Sequence, residues 1–312
     1  MTQNQPRNEI SVPAELPAKR RIRQAFDQAA ATYDEAADVQ REVCDRLAGH
    51  FAQSNSDWQP AAILEAGCGT GYGVRWLRQR WPCAELTLVD FASGMLIASR
   101  LQCPWAMQVC ADIEALPFAD QRFDLYWSSL AWQWNDPRQC LTEAGRVLRP
   151  GGRLAVATLG IDNFPELRHA FAAIDDYSHV LTIPTPERLL ADCRADGWTV
   201  KIWQRQAVRR HYPDLHTLLR RVKAVGAREV EQRRPALFGR AAWQAVTARY
   251  EQLREPEGLP LTYDVVWLIA HRLTVRSLRP LAREELEGRG NADYSLPSPA
   301  GARGVGGEGR CR

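Results

Sequence analysis

The sequence predicts an α/β fold in which helices cover both faces of a parallel sheet, and three observations support this. Short segments rich in Val, Leu and Ala alternate with helical segments through the first half of the 312-residue chain. A glycine-rich turn follows the first of these apolar segments. The second segment ends in an acidic residue about 20 residues further on, a spacing typical of doubly wound sheets.

The glycine-rich turn is the most informative stretch of the chain. The apolar run 61–64 leads into Glu65, and Gly67, Gly69 and Gly71 follow at alternate positions. Glycine allows positive φ and a close approach of the backbone to a ligand. The turn does not fit the nicotinamide pattern G-x-G-x-x-G, because the third glycine is missing at that spacing. The pattern E-x-G-x-G-x-G resembles the first motif of the class I S-adenosylmethionine (SAM) methyltransferases.

Apolar periodicity places the other elements along the chain. The predicted strands are Ala61–Ala66, Leu86–Asp90, Met107–Cys110, Phe123–Ser128, Arg153–Thr158, Trp198–Val208 and Leu261–Ala270. The predicted helices are an amphipathic one before Tyr33 and Val74–Arg80, Ser93–Leu101, Asp136–Val147, Pro165–Ile174, Pro186–Asp196, Asp214–Val225 and Arg240–Leu253. In such sheets the ligand lies beyond the carboxyl ends of the strands, near the switch in strand order.

Composition and patterning divide the chain into four predicted regions. Residues 1–18 form a disordered N-terminus, and residues 284–312 form a disordered, glycine-rich tail. Residues 19–160 form the SAM-binding core with its N-terminal lid helix. Residues 161–283 supply substrate-side helices, a basic insertion that acts as a lid, and the closing strands.

Composition also limits location and chemistry. No run approaches the ~20 apolar residues that span a bilayer, and the N-terminus lacks the apolar core of a signal peptide. We therefore expect a cytoplasmic protein that does not bind membranes. The eight cysteines form no C-x-x-C pair and no metal-ligand spacing, so we expect reduced thiols and no metal. Cys68, inside the turn, is interpreted as a small residue rather than a nucleophile.

Acidic residues at three successive strand ends predict a SAM site. Glu65 and the turn amides suit the methionine moiety, Asp90 suits the ribose hydroxyls, and Asp112 suits the adenine amino group. Apolar neighbours of these acids can pack against the adenine, and the end of the fourth strand lies near the methyl group. The predicted cofactor-binding residues are Glu65, Gly67, Gly69, Gly71, Asp90, Phe91, Asp112, Ile113 and Ser128.

Several further segments resemble the malonyl-[acyl-carrier protein] O-methyltransferases of biotin synthesis. They are residues 25–34, 37–41, 112–117, 128–134, 218–227 and 259–263. The resemblance spans about residues 20–272 and implies a Rossmann-like, seven-stranded, mostly parallel sheet with a helical lid inserted before the last strand. It also implies methyl transfer from SAM to the free carboxylate of a malonyl thioester, carried on acyl carrier protein or on coenzyme A.

The resemblance places candidate residues on the substrate side. Tyr33 occupies the position of a family tyrosine and is the candidate catalytic residue, whose phenol either bonds the substrate carboxylate or packs the lid. Trp132, Gln133 and Trp134 either form the wall of the acyl pocket or belong to the core.

Positive charge is concentrated in the second half of the chain. Residues 201–240 hold eleven basic and three acidic side chains, which suits an acidic partner or a solvated helix face. Within this region, Arg220, Arg221 and Lys223 are expected either to dock the acidic carrier protein or to bind the malonyl carboxylate. Nucleic acid is not expected as a partner, because the region lacks interleaved aromatic residues.

Two other functions remain open from the sequence. The first is another small-acid O-methyltransferase or a quinone C-methyltransferase on the same fold, although C-methylation would require a positioned base. The second is a SAM-binding regulator without turnover, because binding and catalysis use different residues.

Overall fold

The structure is a computed structural model that describes residues 17–55, 57–172, 183, 185–225 and 239–272. The strands are β1 Ala62–Ala66, β2 Glu85–Asp90, β3 Met107–Cys110, β4 Phe123–Ser129, β5 Leu148–Leu159, β6 Trp198–Tyr212 and β7 Leu259–Arg272. The helices are α1 Pro17–Ala29, α2 Tyr33–Ala36, α3 Asp38–Ser54, α4 Val74–Arg80, α5 Ser93–Gln102, α6 Pro137–Val147, α7 Pro165–Phe171, α8 Pro186–Ala195, α9 Leu215–Ala224 and α10 Arg240–Glu251. The predicted tail 284–312 and residues 1–16 lie outside the described residues, and α1 begins at Pro17.

One seven-stranded sheet with the order β3-β2-β1-β4-β5-β7-β6 organises the fold. Strands β1 to β5 run parallel, whereas β7 pairs antiparallel with both β5 and β6. This confirms the predicted fold class. The chain leaves β1 towards β2 and β3 on one side and returns to β4 on the other, so the strand order switches at β1.

Helices bury both faces of the sheet, as the apolar strands require. Within β1, Ile63 contributes to the core on one face, together with Leu47 of α3 and Leu77 of α4. Its neighbour Leu64 contributes to the opposite core with Leu141 of α6. All five residues of β1 are buried, and this places its carboxyl end and the turn after it in the interior.

The sequence analysis did not predict α3, although its apolar residues recur at helical spacing. Val39, Val43, Leu47 and Phe51 lie four residues apart and are all buried against the sheet. The Trp267 indole donates to the carbonyl of Val43 at 3.1 Å and fixes the helix to β7. The helix packs on one face of the sheet, and residues of its first two turns line the cleft described below.

The last third of the sheet also departs from the predicted boundaries. Strand β5 starts at Leu148, directly after α6, rather than at Arg153, because Leu148 already pairs with Phe123. Helices α9 and α10 lie between β6 and β7, as the resemblance implied. Within the part of the chain that the structure describes, no helix combines the length and apolarity needed to cross a membrane.

Candidate active site

The glycine turn after β1 has the conformation that its sequence predicts. Gly67, Gly69 and Gly71 have φ values of 72°, 54° and 89°. The amides of Gly67 and Cys68 both donate to the carbonyl of Val89, at 2.8 and 2.9 Å, and this ties the turn to the end of β2. A Cβ atom at Gly67 would lie 2.2 Å from the Cβ of Ala131, so side chains are excluded there.

Asp90 holds the turn and the next helix together. One carboxylate oxygen accepts from the Gly69 amide and the other from the Ala92 amide, each at 2.9 Å. Burial raises the pKa of Asp90 to about 6, while these two amide bonds act in the opposite direction. Each oxygen keeps a further lone pair, so the carboxylate can still accept from hydroxyl groups of a ligand.

Glu65 is the least satisfied charged group of the site. It is 4% exposed, and its Oε2 atom is buried and has no hydrogen-bond partner among the described residues. Burial, followed by the charge of Asp90, raises the pKa of Glu65 to about 8. A carboxyl group in this state is suited to a cationic ligand, which would supply both the missing donor and the missing positive charge.

These residues border a cleft at the carboxyl ends of β1, β2 and β4, with a volume of about 860 Å³ including its open mouth. Phe91, Asp112 and Ile113 line one part of it, as predicted for the adenine end. Tyr33 and Asp34 of α2 line it together with residues of α3.

Helix α1 packs against the part of the cleft that Phe91 and Asp112 line. Phe26 packs edge-on against Trp134, with ring centroids 5.4 Å apart, and lies 6.0 Å from Phe91. Lys19 bridges Asp112 at 2.5 Å and Glu114 at 2.6 Å. The helix therefore contacts the carboxylate that the sequence analysis assigned to the adenine amino group, which fits the predicted N-terminal lid helix.

The structure corrects the interpretation of Ser128. Its side chain is fully buried and donates to the carbonyl of Ala66 at 2.7 Å, so its hydroxyl stabilises the strand pair rather than lining the cleft. The neighbouring Ser129 lines the cleft instead. Successive side chains of a strand point to opposite faces, and the sequence alone did not indicate which serine would point towards the ligand.

Two of the three predicted acyl-pocket residues also lie elsewhere. Trp132 is fully buried in the core, where its indole donates to the Tyr126 hydroxyl at 3.3 Å. The Gln133 amide donates to the carbonyl of Leu130 at 2.7 Å. It thereby supports a residue that has a φ of 54°. Of the three, only Trp134 lines the cleft, so Trp132 and Gln133 are structural.

The three basic candidates of α9 lie outside the cleft. Arg220, Arg221 and Lys223 are exposed, whereas Leu218 and Val222 on the other face of the helix are buried. Arg221 donates to the carbonyl of Glu35 at 2.6 Å and so joins α9 to α2. None of the three is among the residues that line the cleft, and Arg221 lies beside α2, which carries Tyr33 and Asp34 of the lining.

The sequence analysis assigned no role in the site to several residues that line the cleft. They are Asp34, Gln40, Arg41, Cys44, Thr70, Tyr72, Met95, Leu130 and Asn135. Thr70 donates to Asp34 at 2.7 Å, and this bond connects the glycine turn to α2. A signal for Gln40 and Arg41 was present, because they belong to a segment on which the family resemblance rested.

A methyltransferase family accounts for this fold and site. Residues 64–156 match the family described as a methyltransferase domain. A candidate methyltransferase from Bacillus halodurans C-125 superposes with a TM-score of 0.53 at 13% identity, over 73% of this chain and 99% of that one. The sheet order, glycine turn and strand-end acids are those of a class I SAM-dependent methyltransferase.

Closer relatives narrow the family. The malonyl-[acyl-carrier protein] O-methyltransferase of Dechloromonas aromatica is 46% identical, over 82% of this chain and 95% of the relative. The protein of that name from Laribacter hongkongensis is 41% identical, over 90% and 97%. The biotin biosynthesis bifunctional protein BioHC of Cellvibrio japonicus is 35% identical, over 80% of this chain and 50% of that protein. The chain belongs to the malonyl-[acyl-carrier protein] O-methyltransferase family.

The proposed ribose contact leads to a first prediction. Asp90→Ala is expected to weaken binding of S-adenosylhomocysteine by about 10- to 100-fold, since it removes a hydrogen-bond pair worth about 1–3 kcal/mol. Isothermal titration calorimetry measures the change. Asp124→Ala is the control, because Asp124 accepts from the Ala61 and Ala62 amides at the other end of β1. Equal affinities in the Asp90 variant and the wild type would place the ribose elsewhere.

Proposed function

We propose that this protein transfers a methyl group from SAM to the free carboxylate of malonyl-acyl carrier protein, an early step of biotin synthesis. The main support is the identity of up to 46% with proteins named for this reaction, which extends over the core and the inserted lid alike. The cleft adds a site at the strand ends in which the predicted cofactor acids converge.

The residues of the cleft fit SAM. When bound, SAM supplies an electrophilic methyl group on a positively charged sulfonium. The unpartnered carboxyl of Glu65 suits the amino group of the methionine moiety, and Asp90 suits the ribose hydroxyls. Asp112, between Phe91 and Ile113 in the cleft lining, suits the adenine. Of the predicted cofactor-binding residues, all except Ser128 are retained in this proposal.

The proposed reaction needs alignment more than proton transfer. A carboxylate with an ordinary pKa of roughly 4 is already ionised at neutral pH, so no base is required. Among the described residues, the cleft is lined by no histidine or lysine. The enzyme then acts by holding an oxygen of the substrate in line with the methyl carbon and the sulfur.

Tyr33 is proposed to position the substrate carboxylate. It is the first residue of α2 and lines the cleft. Burial, followed by the negative charges of Asp90 and Asp34, raises the pKa of its phenol well above the usual value. The hydroxyl therefore stays protonated at neutral pH and can donate to an anionic oxygen.

Replacing this hydroxyl tests the proposal. Tyr33→Phe is expected to lower kcat/KM for the malonyl substrate about tenfold, the value of one hydrogen bond to a charged group. The affinity for S-adenosylhomocysteine should stay unchanged. Tyr72→Phe is the control, because Tyr72 also lines the cleft but its hydroxyl contacts Asp45. Equal activity in both variants would assign Tyr33 to packing alone.

The exposed face of α9 is proposed to dock the acidic carrier protein. Arg220, Arg221 and Lys223 lie on the solvent side of a helix whose end packs against α2, through Val225 on Ala36 and Ala37. This packing places the basic face next to the tyrosine that lines the cleft. An acidic protein bound there would present its thioester arm at the mouth of the cleft.

Charge reversal on α9 tests the docking surface. Arg220→Glu combined with Arg221→Glu is expected to raise KM for malonyl-acyl carrier protein about tenfold or more and to spare malonyl-coenzyme A. The control reverses Arg100 and Arg194, two exposed arginines on α5 and α8. The same loss with both substrates, or the same loss in the control variant, would contradict a specific docking role.

Mass spectrometry tests the proposed function directly. The protein and SAM are incubated with malonyl-acyl carrier protein or with acetyl-acyl carrier protein, which lacks the free carboxylate. A gain of one methyl group on the malonyl form only is the expected result. If neither form is methylated although calorimetry shows SAM binding, the reaction proposed here is wrong, and small acids and quinones become the substrates to test.

A further inference from the structure

We propose that Arg41 is the carboxylate-binding residue of the cleft. The inference rests on the proposed function, because that function brings two carboxylates into one cleft: the methionine carboxylate of SAM and the free carboxylate of the malonyl group. The chemistry of both is the same, and both would need a cation.

The charge of the cleft is the first argument. Four acidic side chains line it: Asp34, Glu65, Asp90 and Asp112. Among the described residues, Arg41 is the only basic side chain in the lining. An incoming carboxylate would meet these acidic side chains, and Arg41 supplies the one guanidinium in the described lining that can attract it.

The bonding of Arg41 is the second argument. Its Nη1 atom donates to the backbone carbonyl of Asp34 at 2.6 Å, and this is its one side-chain hydrogen bond to the residues that the structure describes. A guanidinium has five N–H donors in a planar fork, so most of them remain available to a ligand. The bond to Asp34 also orients the group beside α2, which carries Tyr33.

Two other arginines near α3 differ from Arg41, because each of them is paired with a carboxylate. Arg46, on the same helix, pairs with Glu42 at 2.5 Å. Arg210, on β6, pairs with Asp38 at 2.8 Å and also with Glu42. Asp38 and Glu42 of the helix are therefore paired with arginines outside the cleft lining, and Arg41 has no carboxylate partner among the described residues.

Gln40 provides an independent observation at the same place. Its Oε1 atom is buried without a hydrogen-bond partner among the described residues, and the side chain lines the cleft next to Arg41. An unpartnered acceptor beside a cation fits a ligand that offers an N–H donor close to a carboxylate. SAM offers the ammonium of its methionine, and the substrate arm offers amide groups near its malonyl end.

Two pairs of ligands distinguish the methionine carboxylate of SAM from the malonyl carboxylate. The two ligands of each pair differ in one group that carries the carboxylate. S-Adenosylhomocysteine and 5′-methylthioadenosine differ in the amino-acid end of the cofactor. Malonyl- and acetyl-coenzyme A differ in the free carboxylate of the substrate, and the small carrier avoids the docking surface on α9. Calorimetry on the full chain measures all four affinities, the second pair in the presence of saturating S-adenosylhomocysteine.

In Arg41→Ala, the ratio of the two affinities is expected to fall at least tenfold in one of the two pairs. The affinity for the ligand without the carboxylate, 5′-methylthioadenosine or acetyl-coenzyme A, should stay unchanged in that pair. A loss in the first pair identifies the SAM carboxylate as the ligand, and a loss in the second pair identifies the malonyl carboxylate. Arg41→Lys should retain part of the preference, because the charge remains. Arg46→Ala is the control and should change neither ratio.

Unchanged ratios in both pairs for Arg41→Ala would overturn the inference. The two members without the carboxylate also report whether the variant is folded, since their binding does not depend on Arg41. Failure of the proposed function has a different signature, in which the wild type itself shows no preference for malonyl- over acetyl-coenzyme A. The cofactor pair still tests Arg41 in that case.

Discussion

Gly67→Ala is expected to lower the affinity for S-adenosylhomocysteine at least 100-fold and the free energy of unfolding by about 2–4 kcal/mol. The new Cβ would lie 2.2 Å from the Cβ of Ala131, a distance at which one of the two segments must move. A φ of 72° adds about 1–2 kcal/mol of backbone strain for any residue with a side chain. Because Gly67, Cys68 and Gly69 line the cleft, the shift would displace the cleft wall at which the cofactor is proposed to bind.

Two further variants separate the steric clash from the backbone strain. Gly69→Ala also places a side chain at positive φ, but its Cβ would meet no atom within 4 Å, so a smaller loss is expected. Combining Gly67→Ala with Ala131→Gly removes the atom in conflict and leaves the next contact at 3.7 Å. We expect this double variant to recover most of the lost affinity, as measured by calorimetry. An unimproved double variant would mean that strain, and not the clash, is the cause.

Glu65→Gln is expected to remove a loss of stability that the ligand-free wild type undergoes between pH 5 and pH 8. The free energy of unfolding of the variant, relative to that of the wild type, should therefore rise by an amount on the order of 3 kcal/mol from pH 5 to pH 8. The pKa of Glu65 in the folded protein is about 8, above its ordinary value of 4.5, because the carboxyl is buried near Asp90. The folded state therefore holds a proton that the unfolded state has released between these pH values. The free energy of unfolding then falls as the pH rises through this window, by about 1.4 kcal/mol per pH unit.

Urea unfolding of both proteins between pH 5 and pH 8 measures this difference. Asp90, whose pKa is raised to about 6, acts in the same direction in both proteins and cancels in the comparison. The thiols of Cys44 and Cys68 stay neutral in this range, since burial raises the pKa of each. A stability difference that does not change with pH would contradict the assignment of this titration to Glu65.

Glu65→Gln is also expected to weaken SAM binding. It should abolish the proton release that accompanies SAM binding in the wild type. A ligand ammonium beside Glu65 favours the ionised carboxylate, so the wild type should release a proton on binding at pH 7. Calorimetry in phosphate and in Tris detects this as a difference in apparent enthalpy. Glu65→Gln should bind with the same apparent enthalpy in both buffers. A wild-type enthalpy that is independent of the buffer would place the ammonium away from Glu65.

The sequence was sufficient to predict the sheet and the glycine turn. Buried parallel strands are continuous apolar runs, and the turn required glycine wherever φ is positive, so both features are visible in local sequence. Asp90 and Asp112 were chosen because Asp90 ends β2 and Asp112 lies two residues after β3, and parallel strands end at the same edge. Local periodicity and backbone sterics determine these features before any tertiary contact forms.

The substrate end depended on tertiary structure. Ser128 and Ser129 differ by one position in a strand, and the pairing of that strand decided which of them points to the cleft. Trp132 and Trp134 lie in one short turn, and only the packing of the core separated the buried indole from the one that lines the cleft.

Arg41 is the clearest example of a residue whose place in the site depends on tertiary structure. In the sequence it is one of 40 basic residues, and although its segment 37–41 resembles the family, so does the segment that contains Arg220. Folding brings the first turns of α3 to the cleft, gives Arg46 an acidic partner, and leaves Arg220 on an exposed helix face. The sequence determined the sheet and the glycine turn, because both depend on neighbouring residues. Only the tertiary structure decided which cation faces the cleft, because that depends on residues far apart in the chain.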